Sequence, residues 1–258
     1  MGCWSVSNKI RQEFEQKKEP VRLNKFLSES GVCSRREADK LIESGRVTVD
    51  GERARTGMKV LPGQDVRVGG RRVGRTEEMV VLAVNKPVGI VCTEERRERK
   101  SIVRFLNYPT RVTYIGRLDK DSHGLLLMTN NGDIINKMMR AGNRHEKEYK
   151  VTVDKEITAD FVRRMSEGVE ILDTVTRPCE VKQLGKYTFS IILTQGLNRQ
   201  IRRMCEALGY QVRDLMRVRV MNIELKGLKE GAYRKLSDAE LNELYELIRD
   251  SSNETVRP

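Results

Sequence analysis

The stretch Gly116-Arg117-Leu118-Asp119-Lys120-Asp121-Ser122-His123-Gly124 runs directly into Leu125-Leu126-Leu127-Met128. A glycine-bounded loop followed by an unbroken apolar run reads as a loop mounted on the end of a buried strand. An acid set between Arg117 and Lys120 in such a loop stands where catalytic carboxylates are commonly placed. The plain alternative is that Asp119 and Asp121 are loop acids paired with their basic neighbours.

Other segments supply the rest of a sheet. Met79 to Val84 is a second continuous apolar run, ended by the turn Asn85-Lys86-Pro87-Val88-Gly89. Tyr149, Val151 and Val153 alternate with polar residues, as do Tyr187, Phe189, Ile191 and Leu193, which is the signature of half-buried strands. Met216, Val218 and Val220 alternate with Arg217 and Arg219, predicting a strand with one basic face. Between them fall helical patterns: 101–106; Ile134, Ile135, Met138 and Met139, with both methionines expected in the core; 158–165 capped by Thr158; and a last helix capped by Ser237 with Glu240. The expected fold class is α+β, with a mixed, mainly antiparallel sheet and flanking helices.

One helix is unusual. With Asn198 as cap and Gly209 as stop, Ile201, Met204, Cys205 and Leu208 share a buried side while Arg199, Arg202 and Arg203 share the other. Three cations on one face near the positive end of a helix repel one another and call for an anion. Asp119 is the expected partner of Arg202, with RNA phosphate as the other source of negative charge.

The first quarter of the chain has a different character. Residues 1–20 are polar and charged and form an extension without a core of its own. From Val21, Leu23, Phe26 and Leu27 mark a short helix; Ser34-Arg35-Arg36-Glu37 has capping-box spacing for a second, stopped at Gly45; and Val47-Thr48-Val49-Asp50-Gly51 and Val66-Arg67-Val68 read as strands. Residues 22–72 hold 12 basic and 7 acidic side chains, 12 − 7 = +5. Arg35 and Arg36 sit in the first turn of the second helix, where the macrodipole favours anions, so a phosphate at that end would account for them. A glycine-rich basic hinge, Gly69 to Arg75, places the boundary, giving residues 21–72, a linker at 73–78, a larger domain at 79–250 and a tail at 251–258.

Composition narrows the function. A net charge of +12 favours a polyanion, nucleic acid before an acidic membrane surface. No run approaches the roughly 18 apolar residues of a membrane span. The first twenty residues lack the apolar core of a signal peptide, and Val6 spoils the myristoylation pattern begun by Met1-Gly2. The expectation is a cytoplasmic protein without membrane association. Five scattered cysteines with no CxxC pair point to reduced, mostly buried thiols, and two histidines without partners at metal-ligand spacing argue against a zinc site.

Residues 21–72 resemble the S4-type RNA-binding module, on Arg22-Leu23-Asn24-Lys25-Phe26-Leu27, Ser34-Arg35-Arg36-Glu37-Ala38, Gly45-Arg46-Val47 and Val49-Asp50-Gly51. The resemblance implies RNA contact by Arg22, Lys25, Ser34, Arg35, Arg36 and Lys40, through phosphates that position without reading sequence. From Val21 to Arg249 the chain is similar to the RsuA/RluB/RluF branch of the ribosomal RNA pseudouridine synthases. The carriers are 85–89, 115–122, His145-Glu146-Lys147-Glu148-Tyr149 and Gln195 to Met204.

That likeness implies Asp119 as catalytic aspartate, Tyr149 under the target base and Arg202 as the basic partner of the aspartate. Arg117 is the candidate to fill the space that the flipped base leaves, and Lys86, Asn198, Arg199 and Gln200 are candidate substrate contacts. His123 receives no catalytic role. The implied fold is a small S4-like domain followed by a pseudouridine synthase domain. The implied partner is bacterial ribosomal RNA, 23S before 16S, with a tRNA as an additional target, and the protein acting as a monomer. Turning uridine into pseudouridine consumes nothing outside the pocket, so no cofactor or metal is expected. The rival from another class is a non-catalytic S4-type RNA-binding or ribosome-assembly factor, which explains the charge and residues 22–72 but not the ordered carriers beyond them.

Overall fold

In the computed structural model the described residues are 20–74, 79–95, 97–139 and 144–251. Most of the N-terminal extension, part of the linker and most of the tail therefore lie outside the described residues, as does Cys3. The chain divides into two compact units. The first takes the chain as far as Val80, with Tyr108–Val112 and Thr129–Gly132; the second holds Val81–Asn107, Thr113–Met128 and the chain from Asp133.

The first unit opens with β1 (Val21–Arg22), α1 (Leu23–Glu29) and α2 (Arg35–Glu43), followed by β2 (Val47–Val49), β3 (Glu52–Arg53), β4 (Lys59–Val60), β5 (Val66–Val68) and β6 (Arg71–Arg72). The expected capping box forms: Ser34 Oγ accepts from the Glu37 amide at 3.2 Å, and Glu37 Oε2 accepts from the Ser34 amide at 2.9 Å. β1 pairs antiparallel with β4, and the other strands run in the order β3-β2-β5-β6. Leu23, Leu27, Ala38, Ile42, Val47, Val49, Val60 and Val66 close one apolar core, which leaves the basic side chains outside it.

The second unit is built on a nine-stranded sheet, and its elements follow in chain order. They are β7 (Val81–Lys86), α3 (Ile102–Leu106), β8 (Thr113–Ile115), β9 (His123–Thr129), α4 (Gly132–Met139), β10 (Lys147–Val153), α5 (Ala159–Glu167), β11 (Glu170–Ile171) and β12 (Thr174–Val175). Then come β13 (Glu180–Gly185), β14 (Thr188–Leu193), α6 (Gln200–Ala207), β15 (Val212–Val220), β16 (Ile223–Glu224), β17 (Tyr233–Lys235) and α7 (Asp238–Ile248). The strand order is β13-β14-β10-β15-β9-β7-β17, with β16 on β15 and β8 on β9; β11 and β12 form a separate pair. β15 runs antiparallel to β10 and parallel to β9, which makes the sheet mixed.

Val151, Val153, Phe189, Ile191 and Leu215 face a core completed by Phe161 and Met165 of α5 and by Ile201, Met204 and Cys205 of α6. Phe161 meets Phe189 edge-on with ring centroids 5.3 Å apart. Helix α6 is thereby fixed on the sheet, and its arginines follow from that packing. Two expectations fail here. Met139 is 47% exposed, since only Met138 faces inward. Arg217 and Arg219 do not share a face: a register shift between Glu148 and Tyr149 puts Arg217 opposite Tyr149 and Arg219 opposite Glu148. That irregularity turns Arg217 into the core side and leaves Arg219 to pair with Glu148 and Glu146 at 2.9 and 3.0 Å. Among the described residues no helix is long and apolar enough to cross a membrane.

Candidate active site

The loop between β8 and β9 is held from three directions, mostly by its own carbonyls. The Lys86 ammonium, fully buried at the end of β7, donates to Ser122 O at 2.7 Å and to Pro87 O at 2.9 Å. The Gly89 amide donates to Lys120 O at 2.7 Å. From α6, Arg202 Nη2 donates to Asp121 O at 2.9 Å and to Ser122 Oγ at 3.3 Å. Within the loop the Ser122 amide donates to Asp119 O at 3.1 Å, closing a tight turn. These bonds fix the backbone beneath Asp119 without using its side chain, which remains 36% exposed and open to a ligand.

The acid and base pairing differs from the expected one. Arg202 is not the partner of Asp119: its Nε lies 3.4 Å from Asp121 Oδ2, and Arg199 is the residue that approaches Asp119, with Nη1 3.7 Å from Oδ2. Arg199 also grips Asp121 with both terminal nitrogens, each at 3.1 Å. The reason is local. Arg199 takes the left-handed conformation, φ 50°, as the residue that starts α6, and this turns its guanidinium toward the loop. Asn198 is accordingly not the cap; its Oδ1 accepts from Arg203 Nη2 at 3.2 Å. Partial burial alone would raise the Asp121 carboxyl, but the Arg199 hydrogen bond and the charges of Arg202 and Arg199 outweigh it and hold Asp121 below the usual carboxylate range. A carboxylate beside two arginines leaves the neighbouring Asp119 with one arginine at a looser distance.

Two candidate substrate contacts are committed to the protein itself. Gln200 is 4% exposed and its Oε1 accepts from the Leu197 amide at 3.1 Å, so it shapes the turn into α6. Lys86 is the clamp described above, and burial lowers its ammonium below the ordinary lysine value despite the opposing pull of Cys92, Asp119 and Asp121. Both belong beneath the site rather than in it. Arg117 is exposed next to Asp119 and makes no hydrogen bond among the described residues. Tyr149 is half-buried on β10 between Ile191 of β14 and Arg217 of β15, with its ring against the core face and its hydroxyl without a partner among the described residues. Asp121, Arg217 and Lys147 are further charged side chains in or beside these elements, none of them among the expected site residues. Asp121 was legible as the second acid of the loop; the other two were hidden because a charged residue in an alternating strand reads as an exposed one.

In the first unit Arg22, Arg35, Arg36 and Lys40 are exposed, the two arginines in the opening turn of α2. Lys25 lies 3.6 Å from Glu29, and the Ser34 hydroxyl is engaged in the capping box. Among the described residues no group of three His, Cys, Asp or Glu could hold a metal ion. Cys33, Cys92 and Cys205 are buried free thiols and Cys179 is a half-buried one.

Known proteins resemble the chain over most of its length. Residues 80–207 match the RNA pseudouridylate synthase family and residues 21–66 the S4 domain. The dual-specificity RNA pseudouridine synthase RluF of Escherichia coli (strain K12) is 56% identical over 92% of this chain and 82% of its own length. Ribosomal large subunit pseudouridine synthase B of Bacillus subtilis (strain 168) is 36% identical over 90% of this chain and 98% of its own. A crystal structure of a pseudouridylate synthase superposes with a TM-score of 0.64 at 28% identity, covering 87% of this chain and 99% of that one. A match that spans the acidic loop, β10 and α6 disfavours a purely RNA-binding role. The chain belongs to the RNA pseudouridine synthases, as an S4-bearing member similar to RluF.

Proposed function

We propose that this enzyme isomerises a specific uridine of bacterial large-subunit ribosomal RNA in the cytoplasm, acting as a monomer and taking a tRNA as a second substrate, with Asp119 as the catalytic carboxylate. The observation that carries the assignment is the geometry of the loop. Its backbone is fastened by Lys86, Gly89 and Arg202, while the Asp119 side chain is left accessible beside Arg199. The choice of RNA rests on the names of the two relatives, one dual-specific and one acting on the large subunit.

The reaction breaks the bond from N1 to C1′, turns the base and joins C5 to C1′, with the proton of C5 released to solvent and one taken up at N1. The Asp119 carboxylate serves either as nucleophile at C1′ or as base at C2′, with the Arg199 guanidinium 3.7 Å from its Oδ2. Tyr149 supplies a stacking surface for the detached base, and Arg117, free to move, fills the gap left when the base leaves its helix at a cost of a few kcal/mol. Asn198 and Arg199, at the exposed start of α6, meet the RNA beside the target. Arg22, Lys25, Arg35, Arg36 and Lys40 contact phosphates elsewhere on the RNA, with Ser34 shaping that surface through its cap.

Two measurements test this. The purified protein should release tritium from [5-³H]uridine-labelled 23S ribosomal RNA and from a tRNA pool, at one mapped position in each. Silence on both RNAs removes the substrate assignment. Replacing Arg35 and Arg36 together by Gln should weaken RNA binding about tenfold or more at moderate salt, and should lower the slope of log affinity against log salt by about 1.5 to 2. An unchanged slope means that these arginines meet no phosphate.

A further inference from the structure

Beside the clamped loop the sheet carries a buried arginine and a half-buried lysine that the loop does not explain. Across the strands β10, β15, β9 and β7 lie Lys147, Arg217, Gly124 and Lys86, the glycine leaving Arg217 room against β9. Arg217 is 2% exposed; its Nε donates to Leu125 O at 2.6 Å, while Nη2 is buried and has no hydrogen-bond partner. Lys147 sits opposite the buried residues Leu193 and Val220, and its Nζ makes one long bond, 3.3 Å, to His145 O. Burial, with the Arg217 charge adding to it, brings the Lys147 ammonium down to about 8. No carboxylate among the described residues bonds to either: Asp121 is held by Arg199 and Arg202, Asp119 faces Arg199 at 3.7 Å, and Glu148 is held by Arg219.

Buried cations without counter-charge are costly and are found where an anion arrives to meet them. The isomerisation itself creates one. When the N1–C1′ bond breaks, its electron pair stays with the base, which becomes a uracil anion with charge spread over N1, O2 and O4. That anion persists until C5 forms its bond to C1′; the neutral adduct then loses the proton at C5 and takes one up at N1. Tyr149 is the cross-strand neighbour of Arg217, at the roughly 5 Å spacing of such pairs, and Lys147 is two residues from Tyr149 on the same face.

We propose that Arg217 and Lys147 form a cationic seat that stabilises the detached uracil anion and retains it against Tyr149. The proposal rests on the stacking role assigned to Tyr149 above. It is electrostatic stabilisation of charge that exists only after bond cleavage, so it acts on the rate rather than on affinity. It also accounts for a charge pair that lowers the stability of the free protein.

The test compares two RNAs, with uridine or 5-fluorouridine at the target position, by first-turnover consumption of that nucleoside. Fluorine stabilises the base anion, so a site missing its cationic seat should be partly rescued. Arg217→Gln and Lys147→Gln are each expected to slow the uridine RNA about 100-fold and the fluorinated RNA about 10-fold, with KM changed less than threefold. Arg217→Lys should recover part of the loss, and Lys147→Gln should melt above the wild type near neutral pH. Equal losses on both RNAs would mean a structural role and overturn the proposal. A raised KM with kcat unchanged would mean an RNA phosphate contact and overturn it as well. Should Arg217→Gln fail to fold, the Lys147→Gln pair of rates decides alone. Wild-type protein inert on both RNAs defeats the substrate assignment instead, which the tritium assay reads separately.

Discussion

Replacing Asp119 by Asn is expected to slow isomerisation at least 10⁴-fold, about 5 kcal/mol in activation free energy, with RNA affinity changed less than about threefold. The amide is isosteric with the carboxylate, and none of the hydrogen bonds that position the loop belongs to this side chain. Lys86 holds Ser122 O, Gly89 holds Lys120 O, and Arg202 holds Asp121 O. Only the 3.7 Å approach of Arg199 is weakened, and the two better bonds of that arginine go to Asp121 and remain. The melting temperature should therefore move by no more than about 2 °C, the size expected for a half-exposed ion pair. What disappears is the negative oxygen beside the sugar, which neither nucleophilic attack nor proton removal can do without. Tritium release under single-turnover conditions reads the rate, and filter binding reads the affinity. Retention of even one per cent of the wild-type rate would remove Asp119 from the chemistry.

How much of this could be read in the chain depends on the range over which each interaction acts. Caps and stripes are local, so Ser34 with Glu37, Ser237 with Glu240 and the Ile201, Met204, Cys205 side of α6 are all legible from spacing. The loop from Gly116 to Gly124 is legible because glycines and an apolar run bracket it. The partner of each arginine is not. Arg199 and Arg202 stand three residues apart on one helix, and Asp119 and Asp121 two apart in one loop, so pattern alone permits either pairing across some 80 residues of chain. The left-handed φ at Arg199 decides the matter, and it depends on how the turn before α6 closes over Gln200 and Leu197. Arg217 is hidden for a similar reason. Alternation puts it on one face with Arg219, but a single irregularity opposite Tyr149 reverses the outward and inward senses along β15. Lys147 shows what such burial implies for stability. A lysine whose folded value is lowered to about 8 binds fewer protons than the unfolded chain between about pH 8 and 10.5, so its cost is fully present below pH 8 and is relieved as pH rises through that window.

Gly124→Ala is expected to destabilise the protein by about 3 to 5 kcal/mol, a large part of the roughly 5 to 15 that holds a typical domain together. Gly124 has φ +99°, a conformation that L side chains rarely adopt, and a Cβ there would stand 2.3 Å from the Arg217 carbonyl oxygen and 2.8 Å from the Arg217 nitrogen. Both are backbone atoms, so no rotamer change relieves the clash. The only relief is to part β9 from β15. Those strands meet through two residue pairs, His123 with Met216 and Gly124 with Arg217, reinforced by the bond from Arg217 Nε to Leu125 O and by His123 Nε2 at 2.9 Å from Asp214 Oδ1. With so short a ladder, displacement at one residue loosens the whole junction. The loop ends at β9, so Ser122 would also shift away from Lys86 and Arg202, and any folded fraction should be poorly active. At about 2 to 4 °C per kcal/mol for a chain of this size, the melting temperature should fall by about 10 °C or more. Gly185→Ala is the control: its φ is not positive and an added Cβ there meets nothing within 4 Å, so calorimetry should leave it within about 2 °C of the wild type. If Gly124→Ala melted there too, β9 and β15 could not approach as closely as the parallel register requires, and the positions assigned to Arg217 and Tyr149 relative to the loop would have to be redrawn.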